Sequence, residues 1–331
     1  MSIGSCIRKM RPFYNRARGA SIVGFALTAV LVSRWVIADP PASLEADPVA
    51  ATPVNPNGAD TSPQVTIQAR RALVEHQAAE FVRQVTRNPQ FRDESLPRWN
   101  APICFAVAGL SSDQGRFALG RLGEIARAAG ARVAPPGCHY NFFVMFVPEP
   151  DKLLTKAFHR YPKAFDQCDG LQAVREFIAP AASRAVRVWH NVRLFRRDGM
   201  PIGTVGPCGG MIGDGEHKEF ALSLQYFPSR IERYDVLAFS LSLVVIDTAY
   251  PKPAKLGALV DLAALVGLAD IDLNANFGDA PSILRLFDAS TAPAGLTDWD
   301  RAFLSGLYHS DQATLTQRSQ IAVKMSHDIV P

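Results

Sequence analysis

The chain has no pair of histidines four residues apart, no C-x-x-C and no G-x-S-x-G. Those absences remove the ligand spacings of zinc peptidases and structural zinc sites, and with them the serine-hydrolase elbow. A lasting surplus of positive charge is also missing. Residues 1–38 hold six Lys or Arg and no acid, so the formal charge of +4 over 331 residues falls to −2 without them. A nearly neutral surface has no general attraction for phosphate backbones, and nucleic acid is not an expected partner. The short basic cluster RLFRRDG (Arg193–Gly199) then reads as a solvated strand end or turn.

What is present begins with an export signature. Arg8, Lys9, Arg11, Arg16 and Arg18 form a positive start, Ala20–Val32 (ASIVGFALTAVLV) is an apolar core, and Val36-Ile37-Ala38 supplies modest residues ahead of a cleavage point before Asp39. Residues 1–38 are therefore read as a signal peptide, and the protein as periplasmic or secreted. The competing reading is an uncleaved anchor, with residues 20–38 crossing the inner membrane and Arg34 at the interface. Membrane contact is expected only in that second case. Residues 39–64, rich in Pro, Ala and Asp and without an aromatic side chain, are expected to be a disordered linker.

Five cysteines become four when Cys6 leaves with the signal: Cys104, Cys138, Cys168 and Cys208. An even number in an exported chain points to two disulfides. Three connectivities are open, of which Cys104 with Cys138 and Cys168 with Cys208 is preferred, because Cys104 and Cys138 begin or precede neighbouring strand-like runs.

Residues 65–331 read as a single α+β globular domain with a mixed sheet flanked by helices. Helices are expected over Ile67–Arg87, from a Ser112 or Asp113 cap to Ala129 with Gly130 closing, over Asp151–Phe165, and near Leu171–Ile178. Strands are expected at Ile103–Gly109, Asn141–Val147, Ala185–Phe195, Lys218–Gln225 and Val236–Asp247. The last of these is apolar enough at its end to be central. A C-terminal helical pair follows at Thr297–Tyr308 and Leu315–Ile329, with Trp299, Phe303 and Leu307 along one packing side.

The segment LVDLAALVGLAD (Leu259–Asp270) has the length, the glycine and the apolar dress of a zinc-peptidase helix. Residues 256–308 resemble an exported proteobacterial family of unknown function related to zincins, whose pattern is E-E-L-x-Q-x-L-G-L, then P-S-I-F, then L-T-x-x-D and L-Y. The corresponding pieces here are Asp261–Leu268, Pro281–Leu284, Leu296–Asp300 and Leu307-Tyr308. With Gly267 in register, Val260 and Ala264 stand at the two imidazole positions and Asp261 at the general-base position. Leu284 replaces the phenylalanine of P-S-I-F. The resemblance implies a zincin-like core helix whose metal ligands are lost. No metal site and no cofactor are expected, because aliphatic side chains offer zinc no lone pair.

As plain residues, Leu256–Leu268 read as a core helix with little polar face. Asp261 is the exception: if buried, it needs a hydrogen-bonding partner or an arginine, and Asp300 and Arg301 are the expected neighbours. Asp261, Asp270 and Asp300 are weak catalytic candidates only. DIDLNANFGD (Asp270–Asp279) alternates oxygen ligands like a calcium loop, but Ala275 and Pro281 replace the required glycine and glutamate, leaving a polar connection. GPCGGMIGDGEH (Gly206–His217) lacks a G-K-[ST] ending and reads as a hairpin loop tethered by Cys208, open to use as a binding surface. His190 is placed on one face of a half-buried strand, and His309 at a helix end where a cation is favoured. The expected function is a non-catalytic exported scaffold that binds an envelope or extracellular partner. The alternatives are a hydrolase using carboxylates of the former metal cleft, or a structural role at the membrane.

Overall fold

The computed structural model describes residues 63–86, 95–165, 170–179, 185–196, 235–287, 292–314 and 316–331. From Gln64 onward they belong to one unit. The expected signal and most of the linker, the strand at 218–225, the glycine-rich loop, Cys168 and Cys208 lie outside the described residues.

Runs of aromatic and β-branched residues make the sheet, since such side chains pack well on a pleated surface. Strands β1 (Phe105–Ala108), β2 (Phe142–Val147), β3 (Val186–Arg196) and β4 (Asp235–Asp247) lie in the order β1-β2-β4-β3. β2 pairs in parallel with both β1 and β4, whereas β3 is antiparallel to β4. β4 is central, as its apolar run predicts, and all six residues of β2 are buried. The β3–β4 ladder slips between Asn191 and Val192, where Ser240 is the extra residue and its hydroxyl donates to the Asn191 carbonyl at 3.1 Å.

Helices cover both faces, giving the α+β architecture. They are α1 (Pro63–Val85), α2 (Ser112–Ala129), α3 (Pro150–Arg160), α4 (Gly170–Ile178), α5 (Leu256–Leu268), α6 (Asp298–His309) and α7 (Gln317–Ile329). Alternation along the strands sorts the core into two layers. Phe142, Val144, Phe146, Val186 and Val188 face α1, α2, α5, α6 and α7. Phe143, Met145, Trp189, Leu243 and Val245 face α3 and α4. On the first side Phe81 meets both Trp299 and Phe303 edge-on, which seats α1 on the C-terminal pair.

Several boundaries differ from expectation for identifiable reasons. The α2 cap is Ser111, not Ser112 or Asp113, and it forms a capping box with Gln114. Gly130 closes α2 at φ +97°. α1 starts at Pro63, inside the expected linker, because proline suits a first helical turn. The helix over 151–165 ends at Arg160 and continues as a 3₁₀ turn at Pro162–Phe165, where proline breaks the α ladder. β1 begins at Phe105 because the Cys104 N–H is taken by the Asn141 side-chain oxygen at 2.7 Å, while Ile103 bridges instead to Val133.

Cys104 and Cys138 form a disulfide across 34 residues, fastening the start of β1 to the loop before β2. Closing a loop of that length restricts the unfolded chain by about 3–4 kcal/mol. The Cys104→Ala/Cys138→Ala variant is expected to lose stability of that order in urea unfolding. A difference below about 1 kcal/mol would show that the bridge does not constrain the unfolded ensemble.

Candidate functional site

α5 is a helix enclosed along nearly its whole length, with only Leu256, Gly257 and Leu259 partly exposed. Ten of its residues are buried, Val260 and Ala264 among them at 0% exposure. The two positions that the resemblance aligns with imidazole ligands therefore look into packed core. Gly267 is also a packing residue: a β-carbon there would lie 2.0 Å from the Phe142 ring.

A helix buried on all sides must have its polar atoms satisfied by its neighbours. Asp261, fully enclosed, accepts from Arg121 of α2 through Nε at 2.5 Å and Nη2 at 2.7 Å, and from the Leu296 N–H at 2.8 Å. The expected partners Asp300 and Arg301 are not the ones used. Arg301 instead donates to the Leu296 carbonyl at 2.7 Å. A pair between helices 140 residues apart leaves no periodic trace in one sequence, so Arg121 could not be singled out. The bidentate contact holds the Arg121 guanidinium above its ordinary value, against a smaller opposing effect of burial.

Asp300 belongs to a neighbouring set. It accepts from Ser282 Oγ at 2.5 Å and from the Ile283 and Thr297 N–H groups at 2.9 Å, and it completes a capping box with Thr297. Asp261 and Asp300 thus hold consecutive amides of one loop, yet neither carboxylate reaches solvent. Asp270 lies beyond the C-cap Ala269, half-buried. Asp261 and Asp300, both at 0% exposure, do not line an open pocket.

The C-terminal end of α5 contains a constellation that the sequence reading did not find. The Val266 carbonyl meets His190 Nε2 at 3.0 Å, the Gly267 carbonyl accepts from Trp99 Nε1 at 3.0 Å, and the Leu268 carbonyl accepts from the Tyr308 hydroxyl at 2.9 Å. Ser242 Oγ lies 2.7 Å from His190 Nδ1 and 3.2 Å from the Gly267 carbonyl. Ser242 and His190 have the spacing of a nucleophile and its base. Their exposures of 0% and 2% deny a substrate any approach, and the pair serves as a helix cap. His190 lies on the enclosed face of its strand, stacked on Phe239 at 4.2 Å. Burial raises the Tyr308 phenol far above its ordinary value and lowers the Arg98 guanidinium beside it.

Elsewhere, DIDLNANFGD is a connection built on local turns, with Asp272 accepting from the Asn274 N–H and Asn276 from the Gly278 N–H. His309 ends α6, and an open groove of about 410 Å³ runs past it, lined also by Gln320, Val323, Lys324 and His327. Among the described residues no three His, Cys, Asp or Glu side chains come together as a metal site. No helix among them is long and apolar enough to cross a membrane. Comparison with family models, curated proteins and solved structures finds no match.

Two expectations follow. Asp261→Ala leaves the Arg121 guanidinium and the Leu296 amide without their acceptor, and chemical denaturation is expected to register a loss of about 2–4 kcal/mol. A loss within 0.5 kcal/mol, roughly the scatter of surface substitutions, would mean that the pair is dispensable. Asp300 gives a signed pH effect. Burial raises its carboxyl above the ordinary value, outweighing its hydrogen bonds. The linked stability is fully present below the unfolded aspartate value, near pH 4, and fades as pH rises through the folded one. The stability difference between wild type and Asp300→Asn should shrink over that window, and an increase would contradict the sign.

Proposed function

We propose that the protein is an exported, non-catalytic scaffold of zincin-like descent that binds an envelope or extracellular protein through its loops. The single observation that carries this reading is the enclosure of α5. Its two would-be ligand positions are aliphatic and at 0% exposure, and its one ionisable side chain is committed to Arg121 and Leu296. Residues that fill a core with one another leave nothing to polarise a water or a carbonyl. The hydrolase alternative draws no support from the carboxylates, because Asp261 and Asp300 are both spent on holding backbone and arginine donors. The disulfide fits an oxidising compartment.

The deciding experiment is metal analysis of the purified mature chain after dialysis against zinc, with a peptidase assay alongside. Substoichiometric zinc and no cleavage are expected. Stoichiometric zinc together with a peptidase activity abolished by Asp261→Asn would overturn the reading. Mass spectrometry of the chain recovered from the cell envelope should give an N-terminus at Asp39. An intact start in the membrane fraction would move the protein to the anchored alternative.

A further inference from the structure

We propose that the carboxyl end of the sheet holds a binding site for a small oxyanion, a phosphate or carboxylate group, at Arg187 and the first turn of α3. The inference is independent of the scaffold reading, since it concerns the opposite face of the sheet from α5.

Arg187 is the second residue of β3 and pairs in register with Val245 near the end of β4. Because β3 runs antiparallel to its neighbour, its start lies where the parallel strands β2 and β4 finish, and α3 begins three residues beyond β2. Open sheets with parallel strands bind ligands outside those carboxyl ends, where helix N-termini gather. At this place α3, an 11-residue helix, starts from Glu149 with no side-chain cap, and the Glu149 carboxylate turns to Lys152 instead.

The second observation concerns the arginine itself. Its side chain is 3% exposed, and its Nη2 contacts the Asp151 carboxylate in the first turn of α3. Its Nε and Nη1 have no hydrogen-bond partner among the described residues. A buried guanidinium with two N–H directions unanswered is costly, and the group that answers them must accept hydrogen bonds and favour positive charge. An oxyanion does both, and guanidinium geometry suits it. Asp151, whose side chain is 45% exposed, connects the buried guanidinium with solvent. Trp189, the next residue on the same face of β3, and Phe165 keep the inner side apolar, which strengthens a charge-assisted bond there. The Asp151 carboxylate competes with the ligand for the guanidinium, so the wild-type site is tuned to be weak.

The test uses the full chain and thermal unfolding with sodium phosphate or sodium acetate, each against sodium chloride at matched ionic strength and pH. A saturable rise in Tm on the order of 2–4 °C beyond chloride is expected with at least one of the two. A response to phosphate alone identifies phosphate esters as the ligand class, and a response to acetate identifies carboxylates. Arg187→Gln should abolish the rise. Asp151→Asn should lower the half-saturating concentration about tenfold, as expected for removing one competing charge. No anion-specific rise in either wild type or Asp151→Asn overturns the proposal, as does a rise that survives Arg187→Gln. If Arg187→Gln does not fold, Asp151→Asn decides alone, and an unchanged half-saturation counts against the site.

Discussion

The fold depends on satisfying the polar atoms of one helix that is buried along all but its first turn. α5 contributes apolar side chains in every direction, which is why it can sit between the sheet on one side and α2 and α6 on the other. The same burial strips water from its carboxylate and from its last carbonyls. Each unmet group would cost on the order of 1–3 kcal/mol, a large part of the net stability of a domain. The solution draws donors from α2, β3, β4, the segment before β1 and α6, so that Arg121, His190, Ser242, Trp99 and Tyr308 all converge on one helix. Elements distant in sequence are thereby fixed in orientation, which apolar packing alone does less sharply.

This constraint explains the character of the residues around α5. Gly267 is small because the Phe142 ring occupies the place of its β-carbon, and Gly295 is small because Asp261 Oδ2 would lie 2.5 Å from a β-carbon there. The loop at 295–297 can then press two successive amides onto Asp261 and Asp300. Gln312 and Gln317 extend the scheme to the segment before β1, holding the Leu96 carbonyl and amide at 3.0 Å and 2.7 Å. Val260 and Ala264 stand in the same core, fully buried, where the packing depends on their side chains being small and apolar.

The sheet and most helices could be read from the sequence because their signals are local. Six consecutive buried residues in β2 and the apolar end of β4 announce interior strands, and Gly130 announces the end of α2. Burial of Asp261 with an arginine could also be anticipated, since so apolar a helix leaves a carboxylate few options. The identity of that arginine could not, because 140 residues separate Arg121 from Asp261 and nothing in spacing links them. The enclosure of His190 is illegible for the same reason. Its strand neighbours alternate in a way that fits a half-buried position, and only the docking of the α5 end against Ser242 and Phe239 encloses it.

The two faces of the sheet differ in where they bury charge: a paired carboxylate against α5 and an incompletely paired guanidinium against α3. On the α5 face Asp261 and the last carbonyls of the helix have donors matched to them, while the Trp299 indole N–H in the same core has none among the described residues. On the α3 face Arg187 has more donors than Asp151 can use. Natural cores keep unmatched buried charge only where something else meets it, because a burial cost of several kcal/mol is otherwise unrecovered. The buried group with donors to spare, Arg187, thus stands at the carboxyl end of the sheet, away from the helix that the sequence makes most conspicuous.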